Sequence, residues 1–149
     1  DAETANGRIT LEDTEVEEGS ISTQNGRLEI INVKGKTFTG TTDNGSIRGK
    51  MSCERAELKT DNGSIRIAPK EKGEYEIETD MGSISIDIDR HVPYHIEART
   101  DMGKIRVAPD LEIASKEKHC IIVESATFAE AEEKLSIDAK TDMGSIRIE

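Results

Sequence analysis

Five aspartates recur at one position of a repeated motif: Asp43, Asp61, Asp80, Asp101 and Asp142. Carboxylates stacked about 5 Å apart repel, and a bound Ca²⁺ is one way to relieve them. The same row could equally be a solvated acidic edge, partly neutralised by outward Arg48, Arg66, Arg106 and Arg147. A hard-cation site needs six or more converging oxygens, so no metal ligand is assigned. A second acidic pair, Asp87 and Asp89, flanks Ile88 and would point outward from one strand. Two neighbouring carboxylates are the minimum for cleaving a glycosidic bond. No basic groove accompanies them, Trp is absent and aromatics make up only 3% of the chain, which removes the usual sugar-stacking platform. No catalytic residue is assigned.

The remaining reactive side chains are scattered. His91, His95 and His119 have no metal-ligand spacing with Cys53 and Cys120. The cysteines fall about three repeats apart, a separation of roughly 14 Å along a stack, so two free thiols are expected. Glycines recur singly and never precede a helix, which excludes a phosphate-cradling loop and any cofactor-binding site of that type. The chain is expected not to be an enzyme, with no cofactor and no small-molecule substrate.

What positions these residues is a repeat. The tetrad Thr-x-(Asn or Met)-Gly occurs at Thr4–Gly7, Thr23–Gly26, Thr42–Gly45, Thr60–Gly63, Thr79–Gly82, Thr100–Gly103 and Thr141–Gly144, with successive glycines 19, 19, 18, 19, 21 and 41 residues apart. Alternating segments flank each tetrad: Tyr75/Ile77, Ile96/Ala98 and Ile137/Ala139 before it, Ile65/Ile67, Ile84/Ile86, Ile105/Val107 and Ile146/Ile148 after it. Period-2 alternation marks strands with one buried face. Asn-Gly also suits hairpins, but Met replaces Asn at 81, 102 and 143, where a tight hairpin turn would demand positive φ. Equivalent positions keep their residue type, as stacked coils require.

The expected fold is therefore all-β: one domain, residues 1–149, forming a single-stranded right-handed parallel β-helix of about eight coils, roughly 19 residues each. Asn6, Asn25, Asn44 and Asn62 should form an amide ladder. Between Val107 and Leu135 no tetrad occurs. There Ile121 and Val123 read as one more coil, with Ser125 at the threonine position. Thr127 to Glu130 is a capping-box pattern, which predicts a short helical insertion over 127–134 that packs on the methionine corner; the alternative is a methionine stripe left exposed as an adaptable contact surface.

Composition narrows the partners. The net charge is −11, which argues against nucleic acid and anionic lipid; an anionic wall polymer would also be repelled unless a divalent cation bridged it. No apolar run approaches the ~20 residues of a membrane span. The chain starts and stops inside a repeat, as a mature fragment of a longer protein would.

Segments such as Thr60-Asp-Asn-Gly-Ser-Ile-Arg-Ile67 resemble, over essentially the whole chain, the bacterial “putative adhesin” family of unknown-function domains found in envelope-associated and envelope-stress proteins of Gram-positive bacteria. The resemblance implies a right-handed β-helix, a cell-envelope connection and no catalytic residues. The expected role is a non-enzymatic structural or interaction module of the cell envelope or extracytoplasmic surface, with a cytoplasmic place still open. Its partner would be an envelope protein or wall polymer. A polysaccharide-active β-helix enzyme and a scaffold that self-associates end to end stand as alternatives.

Overall fold

The computed structural model describes residues 1–149, which form strands, turns and loops without any helix. Eleven strands make one curled, half-barrel sheet. The first, β1 (Ala2–Glu12), pairs in parallel with β2 (Glu15–Asn62), an extended run that carries two whole tetrads and ends inside a third. At about 3.3 Å per residue, 48 residues are far too long to run straight through one small domain, so β2 winds. Each later repeat is cut at its tetrad into a strand before the corner and a strand after it. These are β3 (Ile65–Pro69), β4 (Gly73–Met81), β5 (Ile84–Ile86), β6 (Tyr94–Met102) and β7 (Ile105–Val107), with β10 (Leu135–Met143) and β11 (Ile146–Ile148) at the C-terminal end.

The inward positions of these strands form a single apolar core. In β4, for example, Tyr75, Ile77 and Thr79 are buried while Glu74, Glu76 and Asp80 are exposed. Neighbouring repeats meet in register: Ile47 faces Ile65, Ile65 faces Ile84, and Ile84 faces Ile146. Like residues therefore stack, and 28 of them join one continuous cluster.

The corner glycines owe their identity to close approach more than to φ. Gly7 has a φ of 126°, but Gly26, Gly45, Gly103 and Gly144 do not have positive φ. Instead, a Cβ added at Gly26, Gly45, Gly63, Gly82, Gly144 or Gly103 would overlap the carbonyl oxygen of the glycine on the adjacent repeat. Only hydrogen fits there.

Two features overturn the expected β-helix. The first is order. Strand β10 pairs with β4 on one edge and β6 on the other, and β11 likewise lies between β5 and β7. The last repeat thus wedges between two earlier ones, and the stack does not follow the chain. The second is direction. Strand β9 (Cys120–Glu124) runs antiparallel to β6, and β8 (Ile113–Lys116) runs antiparallel to β9, so the sheet is mixed. Ile121 and Val123 are inward-facing, as their alternation suggested, but they belong to this hairpin and not to a further coil. The physical reason is visible in the chain: residues 108–134 lack a tetrad, and without the glycine corner a strand has no means of continuing the winding.

The helix expected over 127–134 is also absent. Its place is taken by turns, closed by Phe128 N–H donating to Ser125 (3.0 Å) and Ala131 N–H to Phe128 (3.4 Å). Eight residues are too few to nucleate a stable helix without a groove to pack in. Nor does this segment cover the methionine corner; its Phe128 packs on His95 instead.

Candidate interaction surface

Along the axis of the sheet, alternation displays every second side chain outward, and the in-register pairing aligns these into rows. The strands before the corner and those after it carry different rows.

Before the corner, Glu57 faces Glu76, Glu76 faces Asp138, and Asp138 faces Glu97. Four carboxylates thus lie side by side. Cations in adjacent positions pair two of them, with Lys59 reaching Glu57 at 2.8 Å and Arg99 binding Glu97, and the flanking acids are paired as well: Lys140 reaches Glu78 at 3.4 Å and Arg55 reaches Glu74 at 3.0 Å. The hydrogen bond that Lys59 donates to Glu57, with the neighbouring acids, raises the Lys59 pKa, and Asp142 and Glu78 raise that of Lys140. This face is a paired, self-screening charge mosaic.

After the corner the picture differs. Arg48 faces Arg66, Arg66 faces Ser85, Ser85 faces Arg147, and Arg147 faces Arg106. Beside this row runs a second, where Ser64, Ser83, Ser145 and Lys104 follow one another through the backbone bonds of the next strand. The four arginines are exposed. Arg147 touches Glu149 at 3.6 Å, whereas Arg48, Arg66 and Arg106 have no carboxylate within 4.0 Å.

The corner itself carries a third row. Asn25 donates to Asn6 (3.1 Å), Asn44 to Asn25 (3.1 Å) and Asn62 to Asn44 (3.2 Å), the amide ladder that the spacing predicts. Beyond Asn62 it continues as Met81, Met143 and Met102. These methionines are 49%, 46% and 69% exposed, so the apolar half of the row stands in solvent.

The other residues singled out from the sequence do not converge. Asp43, Asp61, Asp80 and Asp101 are exposed and Asp142 is half-buried; no three His, Cys, Asp or Glu side chains are grouped to hold a metal. Asp87 and Asp89 lie exposed on either side of buried Ile88, and Asp89 accepts the His91 backbone N–H at 2.9 Å in a local turn. His119 Nδ1 lies 3.0 Å from the Thr100 carbonyl. His95 is the one histidine in a built environment. Its Nδ1 is 2.6 Å from Glu124 Oε2, its ring lies 5.3 Å from that of Phe128, and Lys134 Nζ stands 4.8 Å over the far ring. This cluster latches β9 and the following turn onto β6. Nothing in the spacing of His95, Glu124 and Phe128 announces it, because the hairpin that unites them was not foreseen.

Both cysteines are free. Burial pushes the Cys53 thiol up to about 11 and the nearby Tyr75 hydroxyl up to about 12. That hydroxyl accepts the Cys53 N–H (3.1 Å) and donates to the Met51 carbonyl (3.3 Å). This is a satisfied core contact and not a reactive centre.

The profile of the Toastrack DUF4097 family matches residues 1–149. The chain belongs to that family. Among solved structures, the Toastrack domain is similar to the 1.95 Å crystal structure of a “putative cell adhesion protein” from Clostridium sporogenes ATCC 15579. The TM-score is 0.66 over 97% of this chain and 92% of that one, at 9% sequence identity, which establishes a shared fold. Comparison with curated proteins finds no match. A family of domains of unknown function is thus the setting of this Toastrack domain.

Proposed function

We propose that this domain is a non-enzymatic interaction module of the cell surface or envelope, which holds a protein or wall polymer against its outward rows. The observation that carries the reading is the regular exposed display itself: long in-register rows of Arg and Ser on one face. A binding surface needs area and pattern, whereas catalysis needs a few groups aimed at one point. The similarity in fold to a protein described as a “putative cell adhesion protein” supports the same reading and favours an extracytoplasmic place.

The test is retention of the purified domain on whole bacterial cells and on isolated envelope fractions. Saturable binding to one of these is the expected result. Absence of retention by every fraction, or release of reducing ends from a panel of glucans and uronans, would overturn the reading.

A further inference from the structure

The chain carries 31 acidic and 20 basic residues, yet its cations are unevenly spread. On the post-corner face six of them, Arg48, Lys50, Arg66, Lys104, Arg106 and Arg147, meet only two carboxylates, Asp87 and Glu149. Glu29 flanks the row at one end, but Arg27 (3.5 Å) and Arg8 (3.9 Å) already engage it. In a protein of net charge −11, this face is locally positive.

Leaving arginines unpaired in a row has a cost. Two guanidinium charges on neighbouring strands, about 4.8 Å apart, repel by roughly 0.9 kcal/mol even in water. The opposite face shows what the same ladder looks like when cations are placed to screen acids. Here the arginines outnumber the carboxylates beside them, and a shallow groove of about 500 Å³ runs past Arg48, Lys50 and Arg66, with Glu29 and Asp87 also in its wall.

Resting on the proposed binding role, we infer that this face is the binding site for a linear, phosphate-bearing polymer lying along the sheet axis. Three features select the chemistry. Arginine presents a rigid fork of N–H donors that matches phosphate oxygens. The serine row places hydroxyl donors beside the guanidinium row, two residues along each strand and on the same face. A tetrahedral phosphate can take donors from both rows at once, whereas a planar carboxylate is filled by a single fork. Finally, the face carries no aromatic side chain on which a nucleic-acid base could stack, so the backbone charge alone is recognised. The overall negative charge repels such a polymer at long range. At contact, within a Debye length of about 8 Å at physiological salt, the local row dominates.

The experiment measures binding of long-chain inorganic polyphosphate by the intact domain, with polygalacturonate and single-stranded oligothymidine as competing arms. Two triple variants are compared: R66E/R106E/R147E on the proposed face, and R55E/K59E/K140E on the opposite one. They change net charge equally; every substituted residue is exposed except the half-buried Lys59, and circular dichroism checks that each variant folds. The expected result is salt-sensitive polyphosphate binding that falls more than about tenfold in the first variant and less than about threefold in the second, as forked contacts require. Equal losses in both variants, or no binding at all, would overturn the site. Equal or tighter binding of polygalacturonate or oligothymidine would overturn the assignment to a phosphate polymer without bases. If the R66E/R106E/R147E variant were still retained on cells, this inference would fail while the broader binding role stood; loss of retention by the wild type would remove that role itself.

Discussion

Arg147 lies directly opposite Arg106 on adjacent parallel strands, although 41 residues of chain separate them. Stacked in the order in which the repeats are written, Arg106 and not Arg147 would face Ser85. The wedging of β10 and β11 between their predecessors therefore sets the order of the post-corner row: Arg66, Ser85, Arg147, Arg106. It also fills both edges of β10 with backbone partners while β9 covers the outer edge of β6, so that β7 and β8 each keep an unpaired edge.

The glycine corner should tolerate no side chain. Gly82→Ala places a methyl group against the Gly63 carbonyl, so denaturant titration should show a loss of about 2–4 kcal/mol. Gly7, at the end of the column, has open space around its missing Cβ. Gly7→Ala should cost only about 1 kcal/mol, the penalty of its φ of 126°. Equal costs at the two positions would contradict the stacked corner.

Alkali should destabilise the domain in a defined window. The buried Cys53 thiol titrates at 9.0 in the unfolded chain and about 11 in the folded one; the Tyr75 hydroxyl moves from 10.0 to about 12. Below pH 9 both groups are protonated in either state and contribute no slope. Above it the unfolded state releases its protons first, so stability falls as pH rises through the folded values. Two pH units correspond to about 2–3 kcal/mol for a fully developed shift. Chemical denaturation between pH 8 and 12 checks this, and Cys53→Ala should remove the earlier part of the decline.

Oxidation should sort the methionines. Dilute peroxide should convert Met102, Met81 and Met143 to sulfoxides well before Met51, which is 1% exposed, as peptide mass spectrometry can follow. Early oxidation of Met51 would mean that the core opens at that repeat.

The His95–Glu124 contact should act locally. Glu124→Ala removes the partner of His95 Nδ1 and should loosen the latch by about 1 kcal/mol, without melting the parallel repeats. Hydrogen exchange should accelerate over 113–134 and stay unchanged in β3 and β5.

What the sequence disclosed follows from what periodicity can encode. The tetrad and its alternating flanks identified the strands, the inward residues and the Asn6–Asn25–Asn44–Asn62 column, because each depends only on residue type at a fixed spacing. Which repeat touches which was hidden, since Ile77, Ala98 and Ala139 present similar small apolar faces and any order of stacking would fill the same column. The direction of β9 was hidden for a related reason: Ile121 and Val123 alternate identically whether the strand runs up or down. Thr127 and Glu130 supplied a local helix signal that tertiary contact overrode, once Phe128 found the His95 ring. The positive face was legible as arginines at equivalent positions, but its meaning depends on the missing carboxylate partners, which only the pairing reveals.

The account rests on β11 lying between β5 and β7, which sets the order of the arginine row. In a Cys120→Ser background, cysteines are placed at Ser85 and Arg147 in one variant and at Ser85 and Arg106 in another, and mild oxidation is followed by non-reducing mass spectrometry. Adjacent strands put Cα atoms about 4.8 Å apart, within disulfide reach, and strands two places apart put them near ~9.6 Å, beyond it. A disulfide in the 85/147 pair and none in the 85/106 pair is the expected outcome. The reverse would mean that the repeats stack in chain order, and the Arg147–Arg106 neighbour relation described here would be overturned.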